Sequence, residues 1–243
     1  MAYEKIVQDN QNLVKFWDQV FTELPEEETE LTEDEDSFKE LAPSEKLFEA
    51  ACTLGHKKKV LDFGCGTAWA SIIAAKSGCK DVTAVDAAPG AVKAAQTYSS
   101  RYGMESSIHL ACGGLDFLQS VPSDTYDGII CSNVLDVIPT ETADQIIREF
   151  ARIATADVCV FIGMNYYLSP DMADKRGLTL EDGNRLYVDG VLRLVSRSDE
   201  EWEQLFSNCF AVVKREYFAW PGEEKPTRRL FCLQKKEEQK KEV

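Results

Sequence analysis

Between Lys59 and Gly163, short apolar runs of strand length alternate with runs of helical period, and this alternation narrows the possible folds more than any other feature. Strands are expected at Val60–Phe63, Asp81–Asp86, Ser107–Ala111, Tyr126–Cys131 and Asp157–Gly163. Helices are expected between them at Trp69–Ser77, Pro89–Tyr102 and Thr140–Ala154, with a short one near Leu115–Gln119. Five strands separated by helices make an α/β fold, a mostly parallel sheet covered on both faces. Ligands on such a sheet bind at the carboxyl ends of the strands, near the switch in strand order. A length of 243 residues suits one domain of this kind with additions.

The flanks read differently. Leu13, Phe16, Trp17, Val20 and Phe21 fall at helical spacing within Asn12–Phe21 and form one apolar stripe that needs a surface to cover. The stretch Glu23–Asp36 is densely acidic and reads as a solvated linker. Pro43 and Ser44 then open a helix that ends at Gly55. Beyond the fifth strand, Arg185–Val188 and Val191–Val195 flank Asp189-Gly190, a hairpin signal because that dipeptide suits positive φ. Ser198 and Glu201 stand at capping-box spacing ahead of a helix to Phe206. Phe210–Phe218 and Arg229–Leu233 read as a final antiparallel pair.

Composition removes several functions. The net charge of -15 disfavours a nucleic-acid partner, whose affinity would come from Lys and Arg on phosphates. No apolar stretch approaches the ~20 residues that span a bilayer, so no membrane partner is expected. Met1–Gln11 lacks a secretory pattern, and a cytoplasmic location follows as the expectation. Eight cysteines without a C-x-x-C pair suggest reduced thiols, with no disulfide framework and no metal site. The sequence does not set the oligomeric state.

The chemistry concentrates in Val60-Leu61-Asp62-Phe63-Gly64-Cys65-Gly66-Thr67-Ala68-Trp69, a strand passing through a glycine turn into a helix. Gly64 and Gly66 permit close approach of a ligand to the backbone. Asp86 lies twenty residues beyond Gly66, at the end of the next strand, where a carboxylate can accept both ribose hydroxyls. A dinucleotide fingerprint starting at Gly64 would need glycine where Trp69 stands, and Asp62 would repel a pyrophosphate. A cofactor carrying a sulfonium and an ammonium turns the same carboxylate into a favourable contact.

These residues resemble the class I, Rossmann-like S-adenosylmethionine-dependent methyltransferases, whose first motif has the form [DE]-x-G-x-G. The resemblance covers roughly residues 45–165 and includes Tyr126–Leu135 as the fourth-strand motif. It implies a doubly wound seven-stranded sheet with one antiparallel edge. It also implies S-adenosylmethionine as cofactor, in-line methyl transfer to an acceptor, and S-adenosylhomocysteine as product. By position, Asp62, Gly64, Cys65 and Gly66 would face the methionine part, and Asn133 and Val134 would approach it from the fourth strand. Asp86 and Ala87 would hold the ribose. The family's adenine-binding acid has no exact counterpart, since Asp116 comes late, so Gly114 and Leu115 would meet the adenine through backbone groups. Ala68 replaces a glycine common in the family.

Residues 1–42 are expected to form a helix and acidic segment, with Trp17 either shielding the cofactor as part of a lid or simply packing. Residues 43–243 would be the methyltransferase domain, with 164–198 inserted on the substrate side and Tyr166 and Tyr167 contacting the acceptor. Asp62 also reads as a partner of the following helix dipole, and Asp86 as a strand-end turn residue. Asp136 reads as a base or as a loop acid capping the Thr140 helix. Neither His56 nor His109 is placed to act as a base, and no catalytic residue is assigned. A small-molecule acceptor fits the size and acidity. The other readings are a non-catalytic S-adenosylmethionine-binding sensor or assembly protein, and an NAD(P)-dependent oxidoreductase.

Overall fold

β1 (Val60–Phe63) is buried at all four positions, as a strand with parallel neighbours on both sides and helices on both faces must be. The structure, a computed structural model, describes residues 2–24 and 38–236. β2 (Val82–Asp86) and β4 (Tyr126–Ser132) flank β1 in parallel, with β3 (Ile108–Cys112) beyond β2 and β5 (Ala154–Met164) beyond β4. β9 (Phe210–Phe218) and β10 (Arg228–Lys235) complete a seven-stranded sheet of order β3-β2-β1-β4-β5-β10-β9. β10 runs antiparallel to both β5 and β9 and makes the edge of the sheet antiparallel in character. The order reverses between β1 and β4, which puts the switch point where the glycine turn leaves the sheet.

Helices cover both faces. α2 (Glu45–Leu54), α3 (Trp69–Lys76) and α4 (Pro89–Arg101) pack one side, with Leu47, Leu54, Ile72, Ile73 and Ala95 buried against Val60, Val82 and Ile130. α5 (Leu115–Ser120), α6 (Thr140–Ile153) and α8 (Asp199–Phe206) pack the other. On α6 the buried residues are Ala143, Ile146, Ile147, Phe150 and Ile153, one stripe at helical spacing. Burial of a large aliphatic or aromatic side chain contributes roughly 1.5–3 kcal/mol, so this stripe fixes α6 against the sheet. α8 starts at Ser198 with the capping box its sequence predicts.

β5 begins at Ala154, earlier than the sequence predicts, because Tyr126 pairs with Ala154 before the register shifts and pairing resumes at Gly128 with Cys159. The predicted hairpin is present as β7 (Arg185–Val188) and β8 (Val191–Val195). A two-residue strand β6 (Leu180–Glu181) and α7 (Pro170–Lys175) join it to form a small three-stranded unit after β5. α1 (Ala2–Thr22) begins well ahead of its apolar stripe, and it packs against α4 and β8. Most of the acidic stretch, residues 25–36, lies outside the described residues. Among the described residues no helix is long and apolar enough to cross a membrane.

Candidate functional site

The carboxyl ends of β1, β2 and β3 are drawn together by hydrogen bonds among the loops that leave them, and the loop after β4 joins them by packing. Gly64 and Gly66 have φ of 72° and 54°, a region that favours glycine. At Gly64 the need is double, since a Cβ there would lie 2.1 Å from Val134 Cγ2. The glycine turn and the loop after β4 therefore touch. The Gly64 and Cys65 amides both donate to the Val85 carbonyl, at 2.8 and 3.0 Å, tying the turn to β2. Ala68 takes φ of 61°, so the turn keeps a left-handed residue where the family's further glycine is replaced.

Asp86 organises the second side. Its Oδ2 accepts from the Gly66 amide at 3.0 Å and its Oδ1 from the Ala88 amide at 2.9 Å. Burial pushes its carboxyl up, opposed by these amides. Its carbonyl accepts from the Gly113 amide at 2.9 Å, which brings the end of β3 alongside. The Gly114 amide donates to Asp116 Oδ1 at 2.9 Å, and a Cβ on Gly114 would come within 3.9 Å of the Ala87 Cβ. Ala87 and Gly114 thus stand next to one another, while Leu115 packs against the core.

Asp62 points to α3. Its Oδ2 accepts from the Ser71 amide at 3.1 Å and from Ser71 Oγ at 2.7 Å, the geometry of a carboxylate serving a helix N-terminus. It is buried, and burial raises its carboxyl to about 6 against the two Ser71 bonds, with Asp86 adding to the rise. Cys65 is also buried, and burial together with Asp62 and Asp86 pushes its thiol well up, so it stays protonated near neutral pH.

On the fourth-strand side Asn133 has φ of 59°, donates its amide to the Gly163 carbonyl at 2.8 Å, and keeps a buried Oδ1 without a hydrogen-bond partner. Asp136 does not cap the Thr140 helix. Its Oδ2 accepts from the Asn165 amide and its carbonyl from the Val195 amide, both at 2.7 Å, so this fully buried residue joins the β4 loop to the exit of β5 and to β8. Burial raises its carboxyl, opposed first by the Asn165 amide and then by Arg229.

α1 crosses over these loops. Its Asp18 Oδ1 accepts from the Gly90 amide at 2.6 Å. The N-cap of α4 is Ala88, which has no side-chain acceptor, so α1 supplies the cap from a distance in sequence. Gly90 permits the approach, because a Cβ there would lie 2.7 Å from the Asp18 carbonyl oxygen. At the other end Asp9 Oδ2 accepts from Tyr187 Oη at 2.8 Å, and Asn10 Nδ2 donates to Thr142 Oγ1 at 3.0 Å. Phe21 rests on the glycine turn, its Cζ 3.1 Å from the position of a Cβ on Gly66. Trp17 lies beside Phe21 with ring centres 5.9 Å apart and packs on the core below.

The structure thus gathers Trp17, Asp62, Gly64, Cys65, Gly66, Asp86, Ala87, Gly114, Leu115, Asn133 and Val134 at one end of the sheet. Tyr166 and Tyr167 stand apart. Tyr166 Oη accepts from Arg176 Nη1 at 3.2 Å and the ring packs in the insertion's own cluster with Leu168 and Ala173, while Tyr167 is exposed. Sequence reasoning missed Asp18 and Asp9. The one available signal was Ala88 before Pro89-Gly90, a helix start with no acceptor of its own.

Residues 60–157 match the model of a family described as "Methyltransferase domain". The match covers less than half of the chain and marks this stretch as similar to that domain. Solved methyltransferases have the same fold. Magnesium protoporphyrin IX methyltransferase from Synechocystis PCC 6803, with bound S-adenosylhomocysteine, superposes with a TM-score of 0.63 at 19% identity, over 96% of this chain and 100% of that one. A putative S-adenosylmethionine-dependent methyltransferase from Listeria monocytogenes gives 0.60 at 18%, over 79% and 98%. The 1,6-didemethyltoxoflavin-N1-methyltransferase of Burkholderia thailandensis, with bound 1,6-didemethyltoxoflavin and S-adenosylhomocysteine, gives 0.58 at 17%, over 84% and 82%. No curated protein sequence matches the chain.

Proposed function

We propose that this chain is an S-adenosylmethionine-dependent methyltransferase that acts on a small-molecule acceptor held beneath α1. The observation that carries the reading is the roof: α1 is fastened at Gly90 on one side and at Tyr187 and Thr142 on the other, with Phe21 on Gly66. A site covered by a helix in this way favours a compact acceptor over a polymer, and the net charge of -15 opposes a phosphate backbone. Two of the similar structures are named for small acceptors, magnesium protoporphyrin IX and 1,6-didemethyltoxoflavin.

The residues present suit S-adenosylmethionine. Gly64 and Gly66 would face its methionine part, and Asp86 has lone pairs beyond the two amides it serves, so it can accept from ribose hydroxyls. With Oδ2 of Asp62 taken by Ser71, Oδ1 is the oxygen left for the ammonium, directly or through water. Ala87, Gly114 and Leu115 line the adenine side, while Asn133, Val134 and Trp17 border the methionine side. When bound, the cofactor supplies a sulfonium-activated methyl group. The protein's part is to fix the acceptor against it and keep water out, and such alignment can supply up to roughly 7–11 kcal/mol of a barrier. The test is transfer of labelled methyl from S-adenosylmethionine into a metabolite extract. A labelled small molecule is expected. Binding of S-adenosylmethionine with no transfer to any extract would favour a sensor instead.

A further inference from the structure

We propose that Arg193 holds an anionic group of the acceptor, a carboxylate or a phosphate, at the junction of α1 and the insertion; this rests on the small-molecule methyltransferase reading above. Arg193 lies on β8 where the register breaks. Leu186 pairs with Leu194 and Tyr187 with Leu192, so Arg193 is the extra residue of a bulge. A bulge re-aims the side chain it carries. Here the guanidinium sits over the Phe16 ring at 4.1 Å and faces the Trp17 ring at 5.8 Å. Trp17 meets Phe21, and Phe21 rests on Gly66, so a continuous row of contacts leads from the arginine to the glycine turn.

The pairing of this cation is what points to a ligand. The chain has 42 acidic and 27 basic residues, so a cation finds a carboxylate readily. Arg152, Arg215 and Arg228 each do so, with Glu149, Glu203 and Glu223. Among the described residues the Arg193 side chain makes no ion pair and no hydrogen bond, although it is half-buried and its fork of five donors is matched to two anionic oxygens. Two aromatic faces hold the guanidinium plane in place without using its N–H groups, the arrangement of a preset anion clamp. An anion held there lies two ring contacts from the glycine turn, so it serves as a handle and is not the methylated group. The product therefore keeps its charge.

The test uses the full chain, methyl-labelled S-adenosylmethionine and a metabolite extract, with products separated on an anion exchanger. Label is expected in the retained fraction, and phosphatase treatment before the column releases it only if the handle is a phosphate. Arg193→Ala is expected to lower retained label at least tenfold, with Arg193→Lys intermediate and S-adenosylhomocysteine affinity by calorimetry unchanged within twofold in both. Label confined to the unretained fraction would overturn the proposal. So would Arg193→Ala losing S-adenosylhomocysteine affinity in parallel with all products, since Arg193 would then only fasten α1. A wild-type chain that binds S-adenosylhomocysteine yet labels nothing would remove the methyl-transfer reading itself, and the acceptor class with it.

Discussion

Replacing Asp62 by asparagine separates what the fold wants from what the cofactor wants. The carboxyl is buried and raised from 3.8 to about 6, with burial as the main cause. A carboxyl whose folded value lies above its unfolded value stabilises the fold when protonated. That contribution is complete below about pH 4 and is lost as pH rises through about 6. One pKa unit corresponds to about 1.4 kcal/mol, so the ionised Asp62 costs the cofactor-free protein about 3 kcal/mol at pH 7. The Asp62→Asn variant would carry no such cost, and the carbonyl oxygen of its new side chain can still accept from the Ser71 amide and hydroxyl. A domain of this size gains roughly 2–4 °C per kcal/mol, so the variant should melt roughly 6–12 °C higher at pH 8, with the gain vanishing towards pH 4. Its affinity for S-adenosylmethionine should fall, because the charge opposite the ammonium is gone, and the wild-type affinity should weaken as pH drops below about 6. Thermal melts and calorimetry across pH 4–8 read both effects. A variant no more stable at pH 8 than at pH 4, relative to wild type, would refute the account of a buried and costly charge.

Gly64→Ala should abolish measurable S-adenosylhomocysteine binding by calorimetry, because the new Cβ meets Val134 at 2.1 Å in a backbone region with φ of 72° and so opens the turn against the β4 loop. Asp18→Ala removes the cap that α1 gives to α4, a loss of about 1–2 kcal/mol, and should lower the melting temperature by roughly 2–8 °C. The same variant should weaken S-adenosylhomocysteine binding several-fold if α1 is the roof of the site. Unchanged affinity would show that α1 only packs.

The strands, the helices and the glycine turn were legible because each depends on local pattern. β1 is a run of four buried positions followed at once by the glycine turn, and α6 shows its buried stripe in its spacing. Asp86 was legible because a strand end and a fixed interval define its place. What stayed hidden depends on pairing across the chain. Asp18 meets Gly90 over 72 residues and Asp9 meets Tyr187 over 178, and neither partner carries a local mark of the other. The bulge at Arg193 is set by pairing with β7, which an alternating pattern does not reveal. Asp136 reads in the sequence like an acid ahead of a helix, yet its Oδ2 turns inward to Asn165, since the exit of β5 leaves an amide there to satisfy. Tyr166 was placed by proximity to the strand end, whereas the insertion folds back and takes the ring into its own small core.

The most direct measurement is the affinity of S-adenosylhomocysteine and S-adenosylmethionine for Asp86→Ala beside the wild-type protein. Asp86 stands at the end of β2 with its oxygens on Gly66 and Ala88, and a hydrogen bond to a charged acceptor contributes roughly 1.5–3 kcal/mol. Loss of the ribose contacts should therefore weaken both ligands at least about tenfold and by a similar factor, while the variant still melts cooperatively. A loss confined to S-adenosylmethionine would place Asp86 at the sulfonium instead of the ribose. Wild-type affinity for both ligands in a folded Asp86→Ala variant would contradict the proposed cofactor site.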